Sequence, residues 1–147
     1  MRYDGVDGLL DEFDCYLHVG SSDDPDVLYL TEFDVPDDVV LVRTEGRSTL
    51  VVSSLEFERA RREASVDVVR RTSDYLSGDR RGAPEARLEM LDGVLSDLDV
   101  SRVAVPRGFS VYLADGLRAR GYGVEAVEDP VSEARTSKQP REVDAIA

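Results

Sequence analysis

Histidine and cysteine, the residue types that most often do chemistry, occur once each in this 147-residue chain. His18 has no second imidazole to complete a histidine pair for zinc or to back up a catalytic triad. It stands between Leu17 and Val19 in a short apolar run, which favours a structural role within a buried strand. Cys15 lies in the same run, and we expect a buried thiol that acts as a small hydrophobic side chain.

Asp23 and Asp24 follow this run, and carboxylates that follow a strand can hold Mg²⁺. Adjacent acidic residues also arise by chance in a chain with 31 of them, and Asp37 and Asp38 form another pair. The sequence has no phosphate-binding loop, dinucleotide glycine fingerprint or G-x-S-x-G elbow. We therefore predict no catalytic residue, no metal ligand and no cofactor within this chain.

The charge balance is strongly acidic, with 18 basic residues and a net charge of −13. Lys138 is the only lysine among the 18. Self-repulsion destabilises such a fold in dilute buffer, whereas about 1 M salt shortens the Debye length to about 3 Å. The composition predicts a halophilic source such as a halophilic archaeon, the alternative being an acidic mesophilic protein. It also disfavours nucleic acid as a partner, because there is no basic stripe.

The length suits one domain with an ordinary hydrophobic core. A single cysteine excludes an internal disulfide and suits a reducing compartment. No apolar run approaches the roughly 20 residues of a membrane helix, and no signal peptide opens the sequence. We expect a soluble cytoplasmic protein without a membrane partner.

Hydrophobic periodicity predicts an α/β domain with a mixed parallel and antiparallel sheet flanked by helices. Alternation of strands and helices in the second half indicates parallel strands, whereas Glu45-Gly46 between two β-branched runs indicates a hairpin. Ser54 and Ser110 are predicted helix N-caps, and Gly121 a helix C-cap. The predicted helices cover 3–13, 55–64, a long segment opened by Pro84, and 111–120; the predicted strands cover 15–19, 37–44, 47–53, 66–70, 102–105 and 124–127.

The last residues read as the start of a further helix. Pro140 and Glu142 suit a first helical turn, and Val143 and Ile146 begin an apolar stripe. One turn is not stable alone, because nucleation costs more than so few hydrogen bonds return. We therefore expect residues 1–134 to form one domain, and 135–147 to be a junction and the truncated first helix of an absent C-terminal domain.

Two segments resemble a known family, the pita-bread metallopeptidases, which include Xaa-Pro peptidases and creatinase. Residues 26–33, DVLYLTEF, resemble the family's N-I-x-Y-L-T-G-F signature, with Asp26 in place of asparagine and Glu32 in place of glycine. The hairpin and the helix that holds Arg59 fit the pattern that follows. A junction motif, R-x-x-K-[ST]-x-x-E-[IV], is matched by Arg135, Lys138, Glu142 and Val143.

The resemblance implies a ribonuclease H-like, creatinase-type N-terminal domain that mediates dimerisation and shields the active site. The partners would be its own C-terminal catalytic domain and a second copy in a homodimer. In the family, that catalytic domain holds two divalent metal ions (Mn, Co or Zn) through two aspartates, one histidine and two glutamates, and hydrolyses the bond before proline. It would begin near Arg141, so we expect no enzyme activity from this fragment.

The same resemblance suggests a surface on this domain that faces the catalytic cleft or the dimer partner. The candidate residues are Tyr29, Leu30, Thr31 and Phe33. The alternative is that Tyr29 and Phe33, four residues apart on a helical turn, fill the core.

Two other hypotheses remain open at this stage. A receiver domain would use Asp23, Asp24 and Lys138, with Asp74 as phospho-acceptor. A stand-alone acidic α/β binding domain would require no further chain. Within the family, a dipeptidase, an aminopeptidase and a creatinase-like hydrolase are not distinguished.

Overall fold

The computed structural model describes residues 2–76, 84–128 and 130–131. Within them, six strands form one sheet with helices on both faces. The strands are β1 (Cys15–Gly20), β2 (Val39–Thr44), β3 (Arg47–Val52), β4 (Val68–Arg71), β5 (Arg102–Pro106) and β6 (Gly123–Val127). The helices are α1 (Asp4–Asp7), α2 (Pro25–Thr31), α3 (Phe57–Glu63), α4 (Pro84–Asp97) and α5 (Val111–Ala119), with 3₁₀ turns at Gly8–Asp11 and Thr72–Asp74.

The strand order is β4-β3-β2-β1-β5-β6. β2 is antiparallel to both neighbours, and the other adjacent pairs are parallel. Gly46 occupies the tight β2–β3 turn with φ of +69°, a conformation that glycine adopts without a Cβ clash. The predicted mixed sheet and hairpin are confirmed.

Side chains of β1 alternate between two hydrophobic cores, one on each face of the sheet. Cys15 and Leu17 pack on the face covered by α4 and α5. Tyr16 packs on the opposite face, covered by α1, α2 and α3. His18 shares the parity of Tyr16 and therefore points towards α2.

The N-terminal helix is shorter than predicted. α1 ends at Asp7, and the chain continues as a 3₁₀ turn through Asp11. Gly5 and Gly8 lower helix stability here, which explains why a continuous helix over 3–13 was wrong. Gly5 is required by packing, because a Cβ there would lie 2.5 Å from the carbonyl oxygen of Pro130.

The start of α3 also differs from the prediction. Ser54 does not cap it; the N-cap is Glu56, without a side-chain cap hydrogen bond. The backbone N–H of Glu56 instead donates to the Ser53 carbonyl at 3.1 Å, so a turn precedes the helix. That turn leaves Leu55 92% exposed.

Both ends of α5 agree with the prediction from the sequence. Ser110 caps α5, where its Oγ accepts from the backbone N–H of Leu113 at 3.2 Å, and Gly121 follows the helix with φ of +99°.

In the described part of the chain, no helix combines the length and apolar character needed to cross a membrane. The junction residues Arg135, Lys138 and Glu142, and the whole segment 135–147, lie outside the described residues.

Candidate functional site at the carboxyl ends of β1 and β5

The sheet has a topological switch point between its parallel neighbours β1 and β5. After β1 the chain enters α2 on one face, and after β5 it enters α5 on the other. The two connections diverge and leave a crevice at the carboxyl ends of these strands, where ligands of open α/β sheets bind. A cavity of about 510 Å³ lies there, lined by His18, Asp24, Asp26 and Arg107 among others.

Both ring nitrogens of His18 have hydrogen-bond partners in this crevice. Its Nε2 lies 2.7 Å from Asp24 Oδ2, and its Nδ1 lies 2.9 Å from Tyr16 Oη. An ionised carboxylate only accepts hydrogen bonds, so Nε2 carries the proton and the Tyr16 hydroxyl donates to Nδ1 when the imidazole is neutral. The ring is only 3% exposed, so both nitrogens are oriented by the protein.

Asp24 joins this imidazole to the start of α2. It is the N-cap residue, and its Oδ1 accepts from the backbone N–H of Asp26 at 2.9 Å. Burial raises the pKa of Asp24, but hydrogen bonds from His18 and from the Asp26 N–H outweigh it, and the pKa lies below its ordinary 3.8. The carboxylate is therefore ionised at neutral pH.

Asp26 completes the group from the first turn of α2. It is 7% exposed, an unusual burial for an aspartate. One ligand atom each from His18, Asp24 and Asp26 can be chosen so that all lie within 4.8 Å of one another. An imidazole and two carboxylates are donor types that divalent metals use.

Two arginines line the same cavity, and both are paired with carboxylates at its rim. Arg87 donates to Asp38 Oδ2 at 3.1 Å, and Arg107 donates to Glu128 Oε1 at 3.1 Å. A second cavity of about 600 Å³ adjoins the first and shares Arg87 and Asp38 with it. The crevice therefore combines a buried acidic and imidazole wall with a rim of paired charges.

Cys15 is next to Tyr16 in β1 but does not belong to the group of side chains at the crevice. Burial, with a smaller contribution from the charge of Asp14, raises the pKa of its thiol to about 12. The side chain is fully buried in the core on the other face of the sheet. The prediction of a buried thiol that packs as a small hydrophobic side chain is confirmed.

The four residues predicted to face a cleft or a partner lie on and just after α2. Leu30, Thr31 and Phe33 are fully buried in this domain, which agrees with the core-packing alternative for Phe33. Tyr29 is partly buried and packs against the same core. A role of this helix in contacts outside the domain stays a prediction.

Glu32, which stands where the signature that residues 26–33 resemble has glycine, has a backbone conformation that glycine adopts easily. It ends α2 in the left-handed region, with φ of +52° and ψ of +30°. Its backbone N–H donates to the Leu28 carbonyl at 2.8 Å, and its side chain forms an ion pair with Arg2. The turn therefore forms without glycine, with backbone strain at Glu32.

The topology of the sheet contradicts the receiver-domain hypothesis. Asp74 follows β4, whereas Asp24 follows β1, and β2 and β3 lie between these strands. Three strand spacings amount to about 14 Å, too far for one phosphorylation site. The antiparallel β2 also breaks the all-parallel sheet that a receiver needs.

Sequence reasoning missed the grouping of His18 with Asp24 and Asp26. It judged the histidine alone, and paired Asp24 with Asp23, which the structure leaves exposed. A usable signal existed: residues at the end of a strand and at the first turn of the next helix meet at one sheet edge. In the sequence, Asp26 stands out only as the residue in place of asparagine in the motif at 26–33.

Comparisons with known proteins establish the fold. By sequence, no family model and no curated protein matches the chain. The Xaa-Pro aminopeptidase structure from Streptococcus thermophilus matches with a TM-score of 0.64 and 18% identity, over 91% of this chain and 95% of that one. The prolidase from Pyrococcus horikoshii matches with a TM-score of 0.66 and 16% identity, over 91% of this chain.

The chain spans only part of the longer structures that it resembles. It covers 34% of the Pyrococcus horikoshii prolidase and 35% of the X-Pro aminopeptidase from Thermotoga maritima, the latter with a TM-score of 0.65 and 16% identity. At these identities the likeness defines an architecture. The chain has the α/β fold of a domain found in these Xaa-Pro peptidase structures.

Proposed function

We propose that this chain is the non-catalytic N-terminal domain of an Xaa-Pro peptidase, and that a C-terminal catalytic domain follows it. The observation that supports the proposal is the likeness in fold: 91% of this chain matches Xaa-Pro peptidase structures, and in a longer one, the Pyrococcus horikoshii prolidase, the match spans 34% of the chain. The remainder of such an enzyme would supply the active site. The motif at residues 26–33 supports the same assignment.

The domain would serve dimerisation and shielding of the active site in a cytoplasmic protein from a salt-rich environment. α2 is the surface that we assign to this role. Leu28 is 43% exposed although it is a large apolar side chain, and Tyr29 lies beside it. Contact with a second domain or subunit would cover this exposed leucine side chain.

The metal chemistry of the parent enzyme would belong to the absent domain. Its dinuclear centre needs five ligands, two of them glutamates, whereas the one group of possible ligands found among the described residues has three members and no glutamate. The described residues therefore do not fit that centre. On this proposal, peptide hydrolysis would require the residues of the C-terminal domain.

The test is to sequence the source gene beyond codon 147. We expect an open reading frame that supplies two aspartates, one histidine and two glutamates in the family order. The extended protein should hydrolyse an Xaa-Pro dipeptide with Mn²⁺, and this chain alone should not. A stop codon directly after Ala147 would contradict the proposal and leave a stand-alone acidic α/β binding domain. Chelator-sensitive turnover by this chain alone would also contradict it.

A further inference from the structure

We propose that His18, Asp24 and Asp26 bind one divalent transition-metal ion, for which Zn²⁺ is the probe. The site lies wholly within this chain, at the cavity between β1 and β5. It is separate from the dinuclear centre expected in a catalytic domain, and it does not depend on the peptidase assignment.

The donor geometry is close to that of a metal site. The three ligand atoms lie within 4.8 Å of one another, whereas two ligands on one tetrahedral Zn²⁺ lie about 3.4 Å apart. Nε2 of His18 and Oδ2 of Asp24 are already 2.7 Å apart and would need to separate slightly around an ion. Small side-chain rotations at the two aspartates bring the set into range.

The burial and charge of this group favour cation binding more than those of an exposed pair of adjacent acidic residues. Asp26 is 7% exposed and His18 is 3% exposed, so two of the three donors are held away from bulk water. Where water is excluded, a carboxylate attracts a divalent ion more strongly than it does in bulk water.

Tyr16 gives the imidazole the support that metal-bound histidines commonly have. When Nε2 binds an ion, the ring proton moves to Nδ1, where the Tyr16 oxygen can accept it at the observed 2.9 Å. The Tyr16 oxygen thus becomes an acceptor at the same position, while its own hydrogen rotates away from Nδ1. Partners of this kind orient the ligand, and their removal typically weakens metal binding about 10- to 100-fold.

The cavity would leave part of the coordination sphere open. Three protein ligands face a space of about 510 Å³, so one or more positions would hold water or an exchangeable ligand. A closed structural zinc site would have a fourth protein ligand instead. The arrangement therefore predicts a ligand-accessible ion of modest affinity.

The first test uses the fact that His18 is the only histidine in the chain. The ¹⁵N-labelled protein, without a polyhistidine tag, is titrated with Zn²⁺ while the imidazole signals are recorded by NMR. We expect the Nε2 resonance to shift and the change to saturate at one equivalent. An unchanged spectrum, or a shift that identifies Nδ1 as the bound nitrogen, would overturn the proposal.

The second test measures Zn²⁺ affinity by calorimetry in about 1 M KCl, which screens diffuse binding to the acidic surface. We expect His18→Gln and Asp26→Asn to weaken binding at least tenfold and Tyr16→Phe to weaken it less. Asp23→Asn removes an exposed neighbouring carboxylate and should change the affinity less than twofold. Equal losses in Asp23→Asn and Asp26→Asn would show surface binding instead. Circular dichroism checks that each metal-free variant is folded. If a variant is unfolded, the NMR titration of the unmutated protein is the deciding test.

Discussion

Nε2 of His18 lies 2.7 Å from Oδ2 of Asp24, while the other oxygen of the same carboxylate caps α2. One side chain therefore fixes both the orientation of a buried imidazole in β1 and the start of the next helix. Both interactions are hydrogen bonds to the carboxylate, and both are stronger when that carboxylate is ionised. The geometry of the crevice is thus linked to the protonation of Asp24.

Asp24→Asn should make the free energy of unfolding depend less on pH in the acidic range. Because the folded-state pKa of Asp24 lies below its ordinary 3.8, its contribution to stability is present above pH 3.8 and is lost as the pH falls through the folded value. Asparagine is also a good N-cap, so the helix start is retained. Urea unfolding between pH 2 and 7 should show the variant less stable at pH 7 and closer to wild type at the lowest pH. An unchanged difference across this range, or an equal effect in Asp23→Asn, would contradict the linkage.

Glu32→Gly should stabilise the domain. A left-handed conformation costs an L-residue about 1–2 kcal/mol, and glycine removes that cost. The greater freedom of glycine in the unfolded chain and the loss of the Arg2 ion pair offset part of the gain, so we expect about 0.5–1 kcal/mol in urea unfolding. Asp99 also has a positive φ, of 57°, but aspartate tolerates it better, so Asp99→Gly should gain less. A destabilised Glu32→Gly would show that the ion pair outweighs the strain.

Arg43→Lys should destabilise the attachment of α1 to β2. The guanidinium of Arg43 donates to both carboxylate oxygens of Asp7, at 2.8 and 3.0 Å, and lies 4.2 Å from the ring centroid of Tyr3. Lysine has no planar fork for this bidentate pair, and we expect a loss of about 1–2 kcal/mol in the free energy of unfolding. Arg61→Lys is the matched control, since Arg61 is an exposed partner 3.9 Å from Glu58, and should change stability by less than about 0.5 kcal/mol. Similar losses in both would argue against a special role for the Arg43 pair.

Salt should stabilise this protein. With a net charge of −13, self-repulsion opposes the compact state, and added ions screen it. Thermal unfolding followed by circular dichroism should show a midpoint that rises steadily from 0.1 to 2 M KCl. A flat or falling midpoint would indicate that the acidic surface is already balanced by its ion pairs, and would remove the argument for a halophilic source.

Much of the fold could be predicted because its signals are local. The β-branched runs on either side of Glu45-Gly46 define the β2–β3 hairpin, and Ser110 marks the start of α5 through its own hydroxyl. Local reasoning failed where two short-range preferences competed. Ser54 was a good cap by type, but the turn from Ser53 to Glu56 delayed the helix.

The sequence by itself determined the mixed α/β class, the acidic composition and the segment at 26–33 that resembles Xaa-Pro peptidases. Only the tertiary structure brought His18, Asp24 and Asp26 together and buried two of them. The physical reason is that a ligand group depends on which face of the sheet a side chain occupies and which helix covers that face. Sequence spacing sets the strand and the helix, but the packing of α2 over β1 sets the distance between their side chains.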